Sequence, residues 1–180
     1  CSIGARPIDL HLKGMEALGA RIQIVHGYVE AQAKQLKGAR IDLAGSHGAS
    51  VGATINVMMA ACLARGTTVI ESAAREPEVE ATAEMLNAMG ASVSGAGTQV
   101  ISIEGVAELQ PSQTRLIPDR IEVGSLMAAA AISGGCLTIE DCRPDHLGAV
   151  IEAFRAMGVR VAAGDGLVTV EARRRLKPLD

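Results

Sequence analysis

The chain has 180 residues, 48% hydrophobic and 21% charged, so it reads as one ordinary globular domain or two small ones, not as a disordered segment. One Tyr, one Phe and no Trp leave a core of Ala, Val, Ile, Leu and Met, and exclude the aromatic platforms on which single-stranded nucleic acid stacks. A formal net charge of -3 with no long basic run argues against nucleic acid or an anionic membrane as the main partner.

In chain order, the run from Pro7 to Gly19 has helical spacing and stops at a glycine, and two short strands follow, turning at His26-Gly27. Residues 39–43 read as a strand, 51–64 as a helix apolar nearly all round, and 67–72 as a strand. From Pro77 to Gly90 an amphipathic helix sets Val79, Ala83, Leu86 and Met89 against Glu78, Glu80, Glu84 and Asn87, and a hairpin turns at Gly95-Gly97. Residues 115–118 read as a strand, 122–133 as a second helix apolar on every side, and 136–141 as a strand. From Pro144 to Gly158 a further amphipathic helix carries Leu147, Val150, Ile151, Phe154 and Met157 on one face, and a hairpin turns at Gly164-Gly166.

These elements repeat. An amphipathic helix, a glycine stop and a hairpin occur three times, and copies two and three add a strand, an apolar helix and a strand in front. The full unit is β-α-β-α-β-β, with the all-apolar helices expected to be buried on every side and the strands outside them. Copy one lacks the leading half-unit and the chain opens at Cys1 without a Met, which leads to the expectation of a chain cut at its front. Such a repeat fixes a fold and names no reaction.

Cysteines at 1, 62, 136 and 142 form no CxxC pair, so neither a disulfide framework nor a zinc ribbon is expected, and a reduced cytoplasmic setting is. No apolar stretch has the length of a membrane span. Three places can carry chemistry. At the front, Cys1 stands five residues from Arg6, and a nearby cation favours a thiolate; the alternative is a flexible terminus that happens to carry a thiol. The loop Gly45-Ser46-His47-Gly48-Ala49-Ser50 precedes the first apolar helix, whose start is a natural anion site if it is more than an ordinary capped terminus. It is not a Walker loop, because no Gly-Lys-Ser/Thr follows. Third, Asp119, Arg120 and Glu122 open the second apolar helix as a cap and first turn, or as a charged site in which Arg120 grips a carboxylate or phosphate; Arg75 and Glu76 stand similarly before the Pro77 helix.

At these places the sequence resembles a known family. CSIGARPIDLHLKGMEALGA is similar to the reactive-cysteine loop and following helix of the UDP-N-acetylglucosamine enolpyruvyl transferases, SVGATINVMMAACLARGTTVIESAAREPEV to their second signature, and LIPDRIEVGSLMAAAAISGG to their third. The resemblance runs from Cys1 to about residue 172. It implies an inside-out α/β barrel of two domains, here incomplete, with residues 1–116 the latter part of the first domain and 117–180 the opening unit of the second. It implies transfer of the enolpyruvyl group of phosphoenolpyruvate to the 3-hydroxyl of UDP-N-acetylglucosamine, with no metal or organic cofactor, in the cytoplasm. It gives Cys1 the role of general acid or adduct-forming thiol on a mobile loop, and the site of alkylation by fosfomycin-type epoxides. Arg6 falls on a phosphoenolpyruvate phosphate contact, Pro7, Ile8, Asp9 and Leu10 on the uracil and ribose lining, and Ser50, Val51 and Gly52 on a diphosphate contact. Glu76, Asp119, Arg120 and Glu122 fall on charged positions near the domain cleft.

The chain departs from that pattern in two ways. Its 45–50 loop is longer and lacks a cation found there in some members. The family's N-terminal lysine and asparagine, its general-base aspartate and its later arginines have no counterpart here, so these 180 residues alone are expected to turn over negligibly in a phosphate-release assay. The shikimate-pathway enolpyruvyl transferase is the nearest rival and uses no loop cysteine; fosfomycin labelling separates the two. A non-catalytic binding or scaffold fragment, self-associating through uncovered apolar helix faces, is the rival from another class, and nucleotide titration separates it. RNA cyclases share a related fold, but neither a basic surface nor a catalytic histidine pattern supports them.

Overall fold

The computed structural model of the chain describes residues 7–46, 48–172 and 176–178. Expectations for Cys1, Arg6 and His47 therefore lie outside the described residues. The chain divides into two compact units, residues 1–115 and 116–180.

In the first unit, α1 (Asp9–Ala17) leads into a hairpin of β1 (Arg21–Val25) and β2 (Tyr28–Gln32). The hairpin turns at His26-Gly27, both at positive φ, as a two-residue turn matched to strand twist demands. A complete β-α-β-α-β-β unit follows: β3 (Arg40–Asp42), α2 (Val51–Ala61), β4 (Thr67–Glu71), α3 (Pro77–Ala88), β5 (Ser92–Ser94) and β6 (Val100–Glu104). Its sheet runs β3-β4-β6-β5, with β3 parallel to β4 and the other pairs antiparallel. Period-two alternation puts Ile70, Ile101 and Ile103 into one core with Val57 and Met58 of α2 and Val79 and Leu86 of α3. Each such side chain contributes about 1.5–3 kcal/mol by leaving water. Pro77 opens α3 at a position where its missing amide hydrogen costs nothing.

Helix α1 lies against α2, and Gly14 makes that approach possible. A Cβ at Gly14 would stand 2.2 Å from Val57 Cγ2, so any larger residue would push the helices apart. This contact seats the start of α1 beside the start of α2.

The second unit holds α4 (Arg120–Ser133), β7 (Cys136–Ile139), a 3-10 turn (Pro144–Leu147) running into α5 (Gly148–Ala156), then β8 (Arg160–Gly164) and β9 (Leu167–Glu171). The sheet order is β7-β9-β8, antiparallel throughout. Met127, Leu147, Phe154, Val168 and Val170 form its core.

Two expectations are corrected. Residues 115–118 form no strand: Pro118 has no amide hydrogen to give a ladder, and the α4 cap follows at Asp119. The apolar helices are not buried on every side. Met59 and Leu63 at the α2 end are about half exposed, while Ile121, Leu126 and Ile132 of the α4 segment are 62%, 42% and 80% exposed. Each helix is covered only where a sheet or a neighbouring helix packs on it, and the described residues leave the remaining strip to solvent.

Candidate active site

The site grows out of the connection from β3 to α2. Asp42 Oδ1 accepts the Ala44 amide at 2.9 Å, which starts the loop, and the Gly48 amide donates to the Gly45 carbonyl at 3.1 Å within it. The Ser72 hydroxyl, followed by the Ala44 amide, holds the Asp42 carboxyl below its ordinary range. Gly45 is needed for space: a Cβ there would lie 2.9 Å from Leu10 Cδ1 and 2.9 Å from the Gly48 carbonyl oxygen. The loop ends at Ser50, whose backbone is extended and whose Oγ accepts the Ala53 amide at 3.2 Å, the N-cap expected from sequence. The Val51 and Gly52 amides that follow have no partner within the helix, so α2 presents donors and the positive end of its dipole.

Around this helix start the structure gathers residues distant in sequence. Pro7, Asp9, Leu10 and His11 line a cavity of about 400 Å³ together with Gly45 and Ser50. A larger cavity of about 770 Å³ is lined by Ser72, Arg75, Glu76 and Gln99, and shares Gly45, Gly48 and Ala49 with the first. The glycine-rich loop thus borders both. Glu76 takes its place because Thr54 Oγ1, buried in α2, accepts the Ala74 amide at 3.1 Å and ties the turn after β4 to the helix. A short carboxylate–guanidinium pair, Glu71 with Arg40 at 2.5 Å, links the neighbouring strands β3 and β4 on their exposed side.

Of the residues proposed from sequence, Pro7, Asp9, Leu10 and Ser50 therefore meet at one cavity and Glu76 at the adjoining one. Ile8, Val51 and Gly52 are neighbours in sequence but line neither. Asp119, Arg120 and Glu122 stand on the second unit, where Asp119 Oδ1 accepts the Ile121 amide at 2.8 Å and the Glu122 amide at 3.3 Å as the α4 cap. Among the described residues no three His, Cys, Asp or Glu side chains are grouped to hold a metal, and no helix is long and apolar enough to cross a membrane. Cys62 and Cys142 are buried and their thiols are pushed up by burial, so neither is an activated nucleophile.

Sequence reasoning missed His11 and Asn56, which meet at 2.8 Å between α1 and α2. No spacing rule links positions 11 and 56. The available signal was that Thr54 and Asn56 are the two polar side chains in an otherwise apolar α2, and Thr54 already has a structural task.

Comparison with known proteins agrees with this architecture. A family model described as EPSP synthase (3-phosphoshikimate 1-carboxyvinyltransferase) matches residues 1–180. A UDP-N-acetylglucosamine 1-carboxyvinyltransferase of Geobacter metallireducens is 51% identical over 180 residues, all of this chain and 42% of that protein. The chain thus spans about two fifths of the length of the curated relatives it matches. Among solved structures, the enolpyruvyl transferase NikO from Streptomyces tendae superposes with a TM-score of 0.81 at 25% identity, over 97% of this chain and 44% of that one. An EPSP synthase from Acinetobacter baumannii gives 0.63 at 27% identity, over 93% and 40%. The repeated α/β units and the whole-length match together place the chain in the EPSP synthase family of enolpyruvyl transferases.

Proposed function

We propose that the cavity at the start of α2 binds the nucleotide of UDP-N-acetylglucosamine, and that the intact enzyme transfers to its 3-hydroxyl the enolpyruvyl group of phosphoenolpyruvate, releasing phosphate. One observation carries this: Pro7, Asp9 and Leu10 share a cavity with the Ser50-capped start of α2. Apolar and carboxylate groups for a base and ribose then stand next to helix amides for a diphosphate. The sugar nucleotide is preferred over a phosphorylated shikimate because curated relatives bearing that name are about half identical to this chain, against 27% for the superposed EPSP synthase.

In this reading Arg6 holds the phosphoenolpyruvate phosphate, and Cys1 either acts as general acid, giving a proton to the C3 methylene as the 3-hydroxyl oxygen bonds to C2, or forms an adduct through its sulfur at C2; loss of a C3 proton with the phosphate then restores the enol ether. Glu76, Asp119, Arg120 and Glu122 serve as further substrate-binding residues, with residues 1–116 the latter part of one domain and 117–180 the opening unit of the next. The enzyme works in the cytoplasm on peptidoglycan precursors, with cell shape and division depending on it and fosfomycin as its inhibitor. The exposed apolar strip of α4 offers a route to self-association.

Titration calorimetry of the chain against UDP-N-acetylglucosamine and against shikimate 3-phosphate tests the substrate. Heat with the nucleotide alone is expected; heat only with shikimate 3-phosphate, or none with either at millimolar ligand, sinks the reading. Mass spectrometry after fosfomycin treatment should find the adduct on Cys1.

A further inference from the structure

The larger cavity has two walls, and one side chain holds both. Ala44, Gly45 and Gly48 belong to the loop wall, and Ser72, Arg75 and Glu76 to the turn that follows β4. Asp42, the last residue of β3, reaches across: its carboxyl accepts the Ala44 amide at 2.9 Å on one side and the Ser72 hydroxyl on the other. The Ser72 hydroxyl first, then the Ala44 amide and the Lys13 ammonium of α1, favour its ionised form. Glu71, its register partner on β4, is itself bound to Arg40. Ser72 stands at φ +53, in the left-handed region that residues other than glycine rarely adopt, so the hydroxyl is what a serine adds there. In the second unit Asp141 takes the same φ of 53, and the amide after it bonds to the hairpin turn as the Ala73 amide does. The bend therefore belongs to the repeat. The carboxylate across it does not: among the described residues β7 has no parallel strand beside it to carry one.

We propose that Asp42 is a positioning residue for substrate binding: its carboxylate clasps the loop wall to the turn wall and so sets the separation between the glycine-rich loop and Glu76. The inference rests on the reading of the site given above. It explains how a loop containing Gly45 and Gly48 keeps a fixed course between strand and helix. The strand end is pinned by the Leu43 amide on the Glu71 carbonyl at 2.9 Å, and the turn by the Ala73 amide on the Gln99 carbonyl at 3.0 Å. Between these two pins the Asp42 carboxylate joins the walls directly. An ionised acceptor makes the stronger bonds, so an asparagine there is a weaker clasp of the same shape.

The test follows affinity and stability side by side on the 180-residue chain. Dissociation constants for UDP-N-acetylglucosamine are measured by NMR titration, and unfolding midpoints by chemical denaturation. The variants are Asp42→Ala, Asp42→Asn, Ser72→Gly and the double variant Asp42→Ala with Ser72→Gly. Asp42→Ala should weaken the nucleotide about three- to tenfold, the scale of a lost hydrogen bond, and Asp42→Asn should recover part of that. Ser72→Gly separates positioning from structure. It relieves the left-handed strain, so its midpoint should hold or rise, yet it should weaken the nucleotide about threefold. The double variant should bind no more weakly than Asp42→Ala, because the clasp can be broken only once. In carbon-detected spectra the Asp42 carboxyl should titrate below the ordinary range in the wild type and move back toward it in Ser72→Gly. Affinity that merely tracks the midpoint, with Ser72→Gly binding as tightly as the wild type, would mark a structural role and overturn the proposal, as would unchanged affinity in Asp42→Ala. If the wild type binds no nucleotide, the reading of the site falls and the proposal with it; if it binds and every variant binds equally, only the role of Asp42 falls.

Discussion

The two units are built on one plan and differ in what lies on the inner helix. Aligning the caps, Ser50 with Asp119, puts Thr54 on Val123, Met58 on Met127 and Ala61 on Ala130, and all six are buried. One position along, Val57 falls on Leu126. Val57 is fully buried beneath Gly14 of α1, whereas Leu126 is 42% exposed, and the described residues of the second unit contain no helix in the place of α1. All-round apolarity is thus a property of the helix, but burial is conferred by its neighbours. A second difference sits at the cap. Residues 43–50 join β3 to α2 as a glycine-rich loop that borders two cavities, and the second unit reaches its cap from Leu116 through Pro118 without one. The helix start is common to both units, so the loop and α1 are what turn it into a candidate site.

The comparison can be broken most forcefully at the second core. Phe154 is the chain's one phenylalanine and packs with Ile151, Val161 and Val168. Phe154→Ala should cost about 3–5 kcal/mol. Hydrogen exchange should show the loss of protection confined to α5, β8 and β9 and their neighbours within residues 116–180. Equal loss across residues 40–104 would show that the two cores are one cooperative body. A smaller effect sharpens the Thr54 and Val123 pair. Thr54→Val gives the first unit the second unit's residue and strands the buried Ala74 amide, which should cost about 1–3 kcal/mol in chemical denaturation. An unchanged midpoint would mean that the turn before Glu76 is held by other contacts, such as the Ala73 amide on the Gln99 carbonyl at 3.0 Å.

Much of this architecture was legible in the sequence because it rests on local rules. The helix stops at Gly19, Gly90 and Gly158 all lie at positive φ, as a left-handed C-terminal residue requires, and the caps at Ser50 and Asp119 form as composition predicts. The hairpin registers follow from their glycine turns. What failed was non-local. A strand at 115–118 needs a partner, and no periodicity within four residues reports one. The exposure of Leu126 and Ile132 depends on which elements pack on α4, which the helix's own sequence does not encode. The candidate site divides in the same way. Ser50 was legible as a cap, and Pro7 to Leu10 through resemblance alone. The His11 and Asn56 contact spans 45 positions and follows only from the close approach that Gly14 permits between α1 and α2.

The smallest expected effect concerns how each unit holds the turn leaving the strand that follows its inner helix, β4 after α2 and β7 after α4. In the first unit a neutral hydroxyl does so, Thr54 on the Ala74 amide. In the second an exposed ion pair braces the turn: Arg143 Nε donates to Asp145 Oδ1 at 3.0 Å and Nη2 to Oδ2 at 2.7 Å. The Arg143 side chain holds the Asp145 carboxyl at about 2, below its ordinary 3.8. A carboxyl depressed on folding contributes stability that is fully present above its unfolded value and is lost as pH falls through the folded one. The contribution of this pair should therefore fade between about pH 4 and pH 2, and added salt should weaken it, because both groups are exposed. Carbon-detected NMR titration of Asp145 should give a midpoint near 2 that moves back toward the ordinary carboxylate range in Arg143→Gln. A midpoint that stays near 2 in that variant would show that the backbone of the 3-10 turn, and not the guanidinium, sets the proton affinity. The two units would then brace this turn by the same neutral means.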